Sequence, residues 1–178
     1  MSERTDTLTN DYEELQALSA FHVPEKIIIL ETDGRRPPEF YRLQISNCVG
    51  VESVGADRKP KYRQDHILII RNFPANYPDR GALPVVIIET PIFHPNVFPP
   101  NHPTNAREFC FAKYQMTQNQ LLKPLIERII GMIQYQNQEY GSPANGDAYE
   151  WAIQNKHLFP LRPNSGGDNQ SQINLIFR

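Results

Sequence analysis

Five prolines, Pro91, Pro95, Pro99, Pro100 and Pro103, crowd the middle of this 178-residue chain and divide it into two parts of different character. Each removes a backbone donor and fixes φ, so residues 91–108 are expected to hold a shape without a hydrogen-bonded ladder. Windows before this stretch read as strands, and windows after it read as helices. At its far end stands Cys110, between Phe109 and Phe111.

Upstream, residues 1–8 are polar and expected to fray. Asn10 or Asp11 is placed to cap a short helix in which Tyr12, Leu15 and Leu18 recur at helical spacing, and Pro24 stops it. Ile27–Leu30 reads as a short strand ended by the turn signal Asp33-Gly34. In Phe40–Ile45, Tyr41, Leu43 and Ile45 point one way and Arg42 and Gln44 the other, the pattern of a strand with one wet face. Residues 49–64 form a long connection expected to be an extended hairpin loop. His66–Arg71 and Pro84–Glu89 are rich in β-branched residues and read as strands.

Downstream, Leu122, Leu125, Ile126, Ile129, Ile130 and Ile133 make an apolar stripe over about 121–135. Pro124 belongs in its first turn, and Gly131 marks a place where another backbone comes close. A second helix is expected over about 145–156, with Asn145 as its cap and Ala148, Trp151 and Ala152 inward. The order is helix, four strands, irregular segment and two helices. That predicts an α+β fold, an antiparallel meander with helices beside it. One domain over 1–160 and a loose tail over 161–178 are expected, the apolar residues at 173–178 being a contact of undefined role.

Charge and cysteine content narrow the function. A formal charge of −2, with no Lys/Arg stripe, argues against nucleic acid. No apolar run approaches the ~20 residues needed to span a bilayer, so no membrane association is expected. With two cysteines, Cys48 and Cys110, a reducing, cytoplasmic setting with free thiols is expected. Cys48 ends a strand pattern and belongs to the core.

Cys110 admits two readings. It is either a small buried hydrophobe between two phenylalanines, or a thiol displayed by a loop with backbone amides nearby to stabilise an oxyanion. No His or Asp stands at a spacing that marks an activating dyad, which favours acyl transfer over proteolysis. His94, His102 and Cys110 follow at eight-residue intervals, but no fourth soft ligand is near, so no metal is expected. His94 reads as structural, bonded to local backbone. Asn96 carries both a donor and an acceptor, and serves either the loop or a thioester.

The landmarks Phe73-Pro74, Tyr77-Pro78, Pro84, Thr90, His94-Pro95-Asn96, Phe109-Cys110-Phe111, Leu121-Leu122 and Asn145-Gly146-Asp147-Ala148 fall in one order. Together they resemble the ubiquitin-conjugating (E2) family over roughly residues 10–159. The resemblance implies a UBC-like fold: an N-terminal helix, a four-stranded antiparallel meander and C-terminal helices packed beside it. It implies that Cys110 accepts a ubiquitin-like protein from an E1-like activating enzyme and passes it to an amine on a protein target, without a cofactor. Asn96 would support the oxyanion or the loop, with His94 and Pro95 structural near the site. Tyr135 to Ser142 would gate the thiol, with Glu139 steering the incoming ammonium. The alternative is a noncatalytic relative of the same fold that only binds partners.

The chain departs from the family in four places. Thirteen residues separate Asn96 from Cys110, more than is usual, and the insertion brings Asn105 within five residues of the thiol. Asn105 therefore competes with Asn96 for the supporting role. The tryptophan after the cysteine has no counterpart, the first helix carries Glu13 and Glu14 without basic residues, and the Pro-Tyr-Gly-Gly run is missing. These departures imply a divergent member, such as a component of a bacterial ubiquitin-like system.

Overall fold

In a computed structural model that describes residues 3–20, 25–79, 81–111, 122–136 and 142–160, the strand-then-helix order becomes an α+β architecture. Helix α1 (Glu3–Ala20) precedes β1 (Lys26–Thr32), β2 (Tyr41–Ser46), β3 (Gly50–Val54), β4 (Pro60–Arg63), β5 (His66–Arg71) and β6 (Val85–Ile88). Helices α2 (Leu122–Ile133) and α3 (Gly146–Gln154) follow, then a 3₁₀ turn, Lys156–Leu158. No helix is long and apolar enough to cross a membrane among the described residues.

Strands β1, β2, β5 and β6 form one antiparallel sheet in that order. Alternation is what makes this sheet two-faced. Tyr41, Leu43, Ile45, Leu68, Ile70, Val86 and Ile88 are fully buried, while Arg42, Gln44, Ile67 and Ile69 between them are only partly covered. The apolar face meets the stripe of α2, in which all six expected residues and Met132 are buried. Leu8 and Leu15 of α1 complete this core. A second cluster gathers Val51, Tyr135, Trp151, Ala152 and Phe159 where α3 meets the β3–β4 pair.

Three local expectations are corrected. The helix at the start does not begin near Asn10 or Asp11. Arg4 in its first turn pairs with Glu39 at 2.7 Å and donates to the Phe73 and Pro74 carbonyls, so tertiary bonds hold a segment whose sequence is polar. Asp11, rather than capping α1, sits mid-helix with its carboxylate buried. Residues 49–64 do form a hairpin, but its arms are paired strands rather than loop: β3 pairs with β4, and Trp151 Nε1 donates to Arg58 O at 3.1 Å. At Gly131 no other backbone comes close among the described residues. Among the described residues, an added Cβ there would meet only the Gln136 side chain, at 3.5 Å. Asn145 does cap α3, accepting from Ala148 N at 3.1 Å.

Candidate active site

Beyond β6 the sheet continues in short pieces. Ile87 bridges Glu108, Phe109 N donates to Val86 O at 2.9 Å, and Ile88 N donates to Arg107 O at 3.0 Å. Outside that piece lies a second. Val97 bridges Phe109, Phe98 N donates to Glu108 O at 3.0 Å, Arg107 N donates to Phe98 O at 3.1 Å, and Cys110 N donates to Asn96 O at 2.8 Å. The proline-bearing stretch is thus a ribbon closed by a hairpin over 99–106.

The register of this ribbon sets Asn96 directly opposite Cys110. The long Asn96–Cys110 interval is absorbed by the hairpin tip and leaves that pairing intact.

The side on which Cys110 emerges follows from its neighbours. Phe109 and Phe111 both pack on the core, with ring centroids 6.1 Å apart and planes 17° from parallel. Successive residues of an extended chain point to opposite faces, so Cys110 projects away from that core. It is free and half-buried, belongs to neither apolar cluster, and its Sγ makes no hydrogen bond among the described residues. Cys48 is the contrasting thiol: wholly buried, with its pKa pushed up to about 12 by burial.

The His94-Pro95-Asn96 turn is held on every side. His94 Nδ1 accepts the Asn96 amide at 3.0 Å, and Val97 N donates to His94 O at 3.1 Å. Ala144 N and Asn145 N both donate to Pro95 O, at 2.8 and 3.1 Å, fastening the start of α3 to the turn. Burial lowers the His94 pKa to about 3, opposed in part by a hydrogen bond to the Met132 backbone, so the ring is neutral and can accept from Asn96. His94 and Pro95 thus both take part in the bonds that hold the turn. The Asn96 side chain is buried, and its Oδ1 has no hydrogen-bond partner among the described residues.

Asn105 lies in the hairpin tip and is occupied there. Its Oδ1 accepts from Thr104 Oγ1 at 2.6 Å, its Nδ2 donates to Glu108 Oε2 at 3.1 Å, and its backbone amide donates to His102 Nδ1 at 3.0 Å. His102 repeats the role of His94 as a turn acceptor, its ring 4.5 Å from that of Phe98. Glu139 lies outside the described residues, as does most of the Tyr135–Ser142 stretch.

Tyr135 is the residue that sequence reasoning undervalued. It sits at φ 57°, where Tyr135 N bonds Met132 O at 2.9 Å and Gln136 N bonds Gly131 O at 2.8 Å, the paired bonds that end a helix in a left-handed residue. Glycine is the usual occupant, and a side chain there costs about 1 kcal/mol or more. Tertiary contacts offset the cost. The Tyr135 hydroxyl donates to Phe93 O, and its ring lies 4.6 Å from His94 and 4.5 Å from Phe159. An aromatic at a helix end is too weak a sequence signal to find it.

A cleft of about 330 Å³ opens beside the ribbon, between the β3–β4 hairpin, Thr90–Phe93 and the first residues of α3. Val97 and Phe98 line it, and Cys110 does not.

Compared with models of protein families and with curated proteins, the chain matches none.

Proposed function

We propose that this chain is an E2-type conjugating enzyme of UBC-like fold, acting in the cytoplasm on a ubiquitin-like protein. Cys110 thiolate attacks the thioester of the modifier on an E1-like enzyme. A new sulfur–acyl bond forms on Cys110 and the E1 thiolate leaves. A target amine then attacks that carbonyl, Cys110 leaves as thiolate, and the amine proton passes to solvent or a nearby base. The driving force resides in the thioester, so positioning and a few oriented dipoles are sufficient.

The observation that carries this reading is the backbone pairing of Cys110 with Asn96 at the end of the ribbon, where the thiol projects away from the core and the Asn96 side chain is buried beside it in the turn. Asn96 brings a donor for the oxyanion and an acceptor for the amine to the residue opposite the thiol. Asn105, already bonded at both ends of its amide, is the weaker candidate. His94, buried and neutral, and His102 each commit Nδ1 to a backbone amide of their own turn, which fits transfer better than hydrolysis, a reaction that calls for a base on the thiol.

Incubation of the protein with ATP, the activating enzyme and the ubiquitin-like protein of its own organism tests the proposal. A covalent adduct that disappears with thiol reductant is expected, and a persistent absence of adduct would overturn it.

A further inference from the structure

A buried carboxylate costs free energy unless its oxygens are bonded. Asp11, wholly buried in the middle of α1, has both oxygens engaged: Oδ2 accepts from Tyr77 OH at 2.6 Å and Oδ1 from Leu122 N at 2.7 Å. Leu122 opens α2. The first amides of a helix have no partner within it, and Leu121, the residue before this one, has no acceptor in its side chain. Pro124 has no amide to satisfy. The cap of α2 is thus supplied by another helix, with a carboxylate placed at the positive end of its dipole.

The opposite end of α2 bears on the His94 turn. Met132 hydrogen-bonds His94 through its backbone, and Tyr135, just past the helix, bonds Phe93 O and packs on the His94 ring. Asn96, in that turn, holds the Cys110 amide through its carbonyl. The helix between the two ends is 12 residues, a rigid rod of about 18 Å. Apolar burial is non-directional and does not by itself fix where the end of such a rod points. Hydrogen bonds are directional and do.

We propose that Asp11 is a positioning residue for Cys110, setting the place of α2 at one end so that its other end holds the His94–Asn96 turn beneath the thiol. Its catalytic consequence rests on the transfer reading above; its geometry does not.

Site-resolved amide hydrogen exchange on the whole protein tests this. In Asp11→Ala the Leu122 amide loses protection, and the Asn96 and Cys110 amides exchange about tenfold faster relative to Leu43 and Leu68 in the sheet. Asp11→Asn keeps an acceptor and restores all three. Ile27→Val, in the edge strand β1, controls for simple loss of stability and leaves the ratio unchanged. Where Asp11→Ala does not fold, Asp11→Leu with Tyr77→Phe removes the same bonds without opening a cavity, and the same tenfold change is expected. Opening at Leu122 with no change at Asn96 and Cys110, or an equal change in Ile27→Val, would overturn the proposal. In parallel, Asp11→Ala should charge with modifier and discharge it onto free lysine about tenfold more slowly, and Asp11→Asn at close to the wild-type rate. If wild type itself never charges, the transfer reading fails while the exchange data still decide the role of Asp11.

Discussion

Cys110 and Asn96 oppose one another across a two-stranded ribbon, the Cys110 amide donating to the Asn96 carbonyl at 2.8 Å. The register that creates this pair sends the extra residues of the loop into a hairpin tip, with Asn105 tied to Thr104 and Glu108.

Asn96→Ala is therefore expected to slow discharge of charged enzyme onto free lysine by about a hundredfold, the lower range for loss of one oxyanion donor. Charging should change little, since it does not depend on the amine. Asn105→Ala should discharge within about threefold of wild type, its loss being a local hydrogen bond. Single-turnover discharge, followed on non-reducing gels, separates the two. Unchanged discharge in the Asn96 variant would refute its role.

Stability should fall as pH drops below the ordinary histidine range. Burial holds His94 at about 3 and His66 at about 4, against 6.5 for a free imidazole. Below 6.5 the unfolded chain binds protons that the folded chain refuses, so each histidine stabilises fully above that pH. Between 6.5 and about 4 each loses up to ~1.4 kcal/mol per pH unit. Asp11 works in the opposite sense, because burial raises its pKa and the folded state takes its proton first. Urea unfolding at pH 7, 6 and 5 should show a net loss that is shallower in His66→Gln by about one proton. Equal slopes would contradict the buried neutral state of His66.

Gly50, where β3 begins, leaves no room for a side chain. An added Cβ would lie 2.7 Å from Ile133 Cγ2 and 3.2 Å from His66 Nε2. Gly50→Ala should cost about 1–3 kcal/mol, as overpacking of a full core does, measured as a lower urea midpoint at unchanged m-value. A neutral substitution would mean that Ile133 yields easily.

Much of the fold was legible because the deciding patterns are local. The stripe of α2, the alternation of β2 and the Asn145 cap are each written within a few residues. What was not legible depended on distance. Arg4 finds Glu39, Phe73 and Pro74 far along the chain, and Asp11 caps a helix whose first residue is 111 positions away. The β3–β4 hairpin was obscured by charges and a glycine that break its alternation. For the candidate site, the motif nominated Cys110, His94 and Asn96. Which asparagine lies across the ribbon from Cys110 depended on where the hairpin turns, and that is a matter of register. Tyr135 was hidden because it occupies a backbone position that ordinarily belongs to glycine.

The most direct measurement replaces the two thiols in turn and follows the adduct formed with ATP, activating enzyme and ubiquitin-like protein. Cys110→Ser is expected to give an oxyester that survives thiol reductant, Cys110→Ala to give none, and Cys48→Ala to charge like wild type. A reductant-sensitive adduct that persists in Cys110→Ala, or wild type that never charges, would contradict a thioester carried on Cys110.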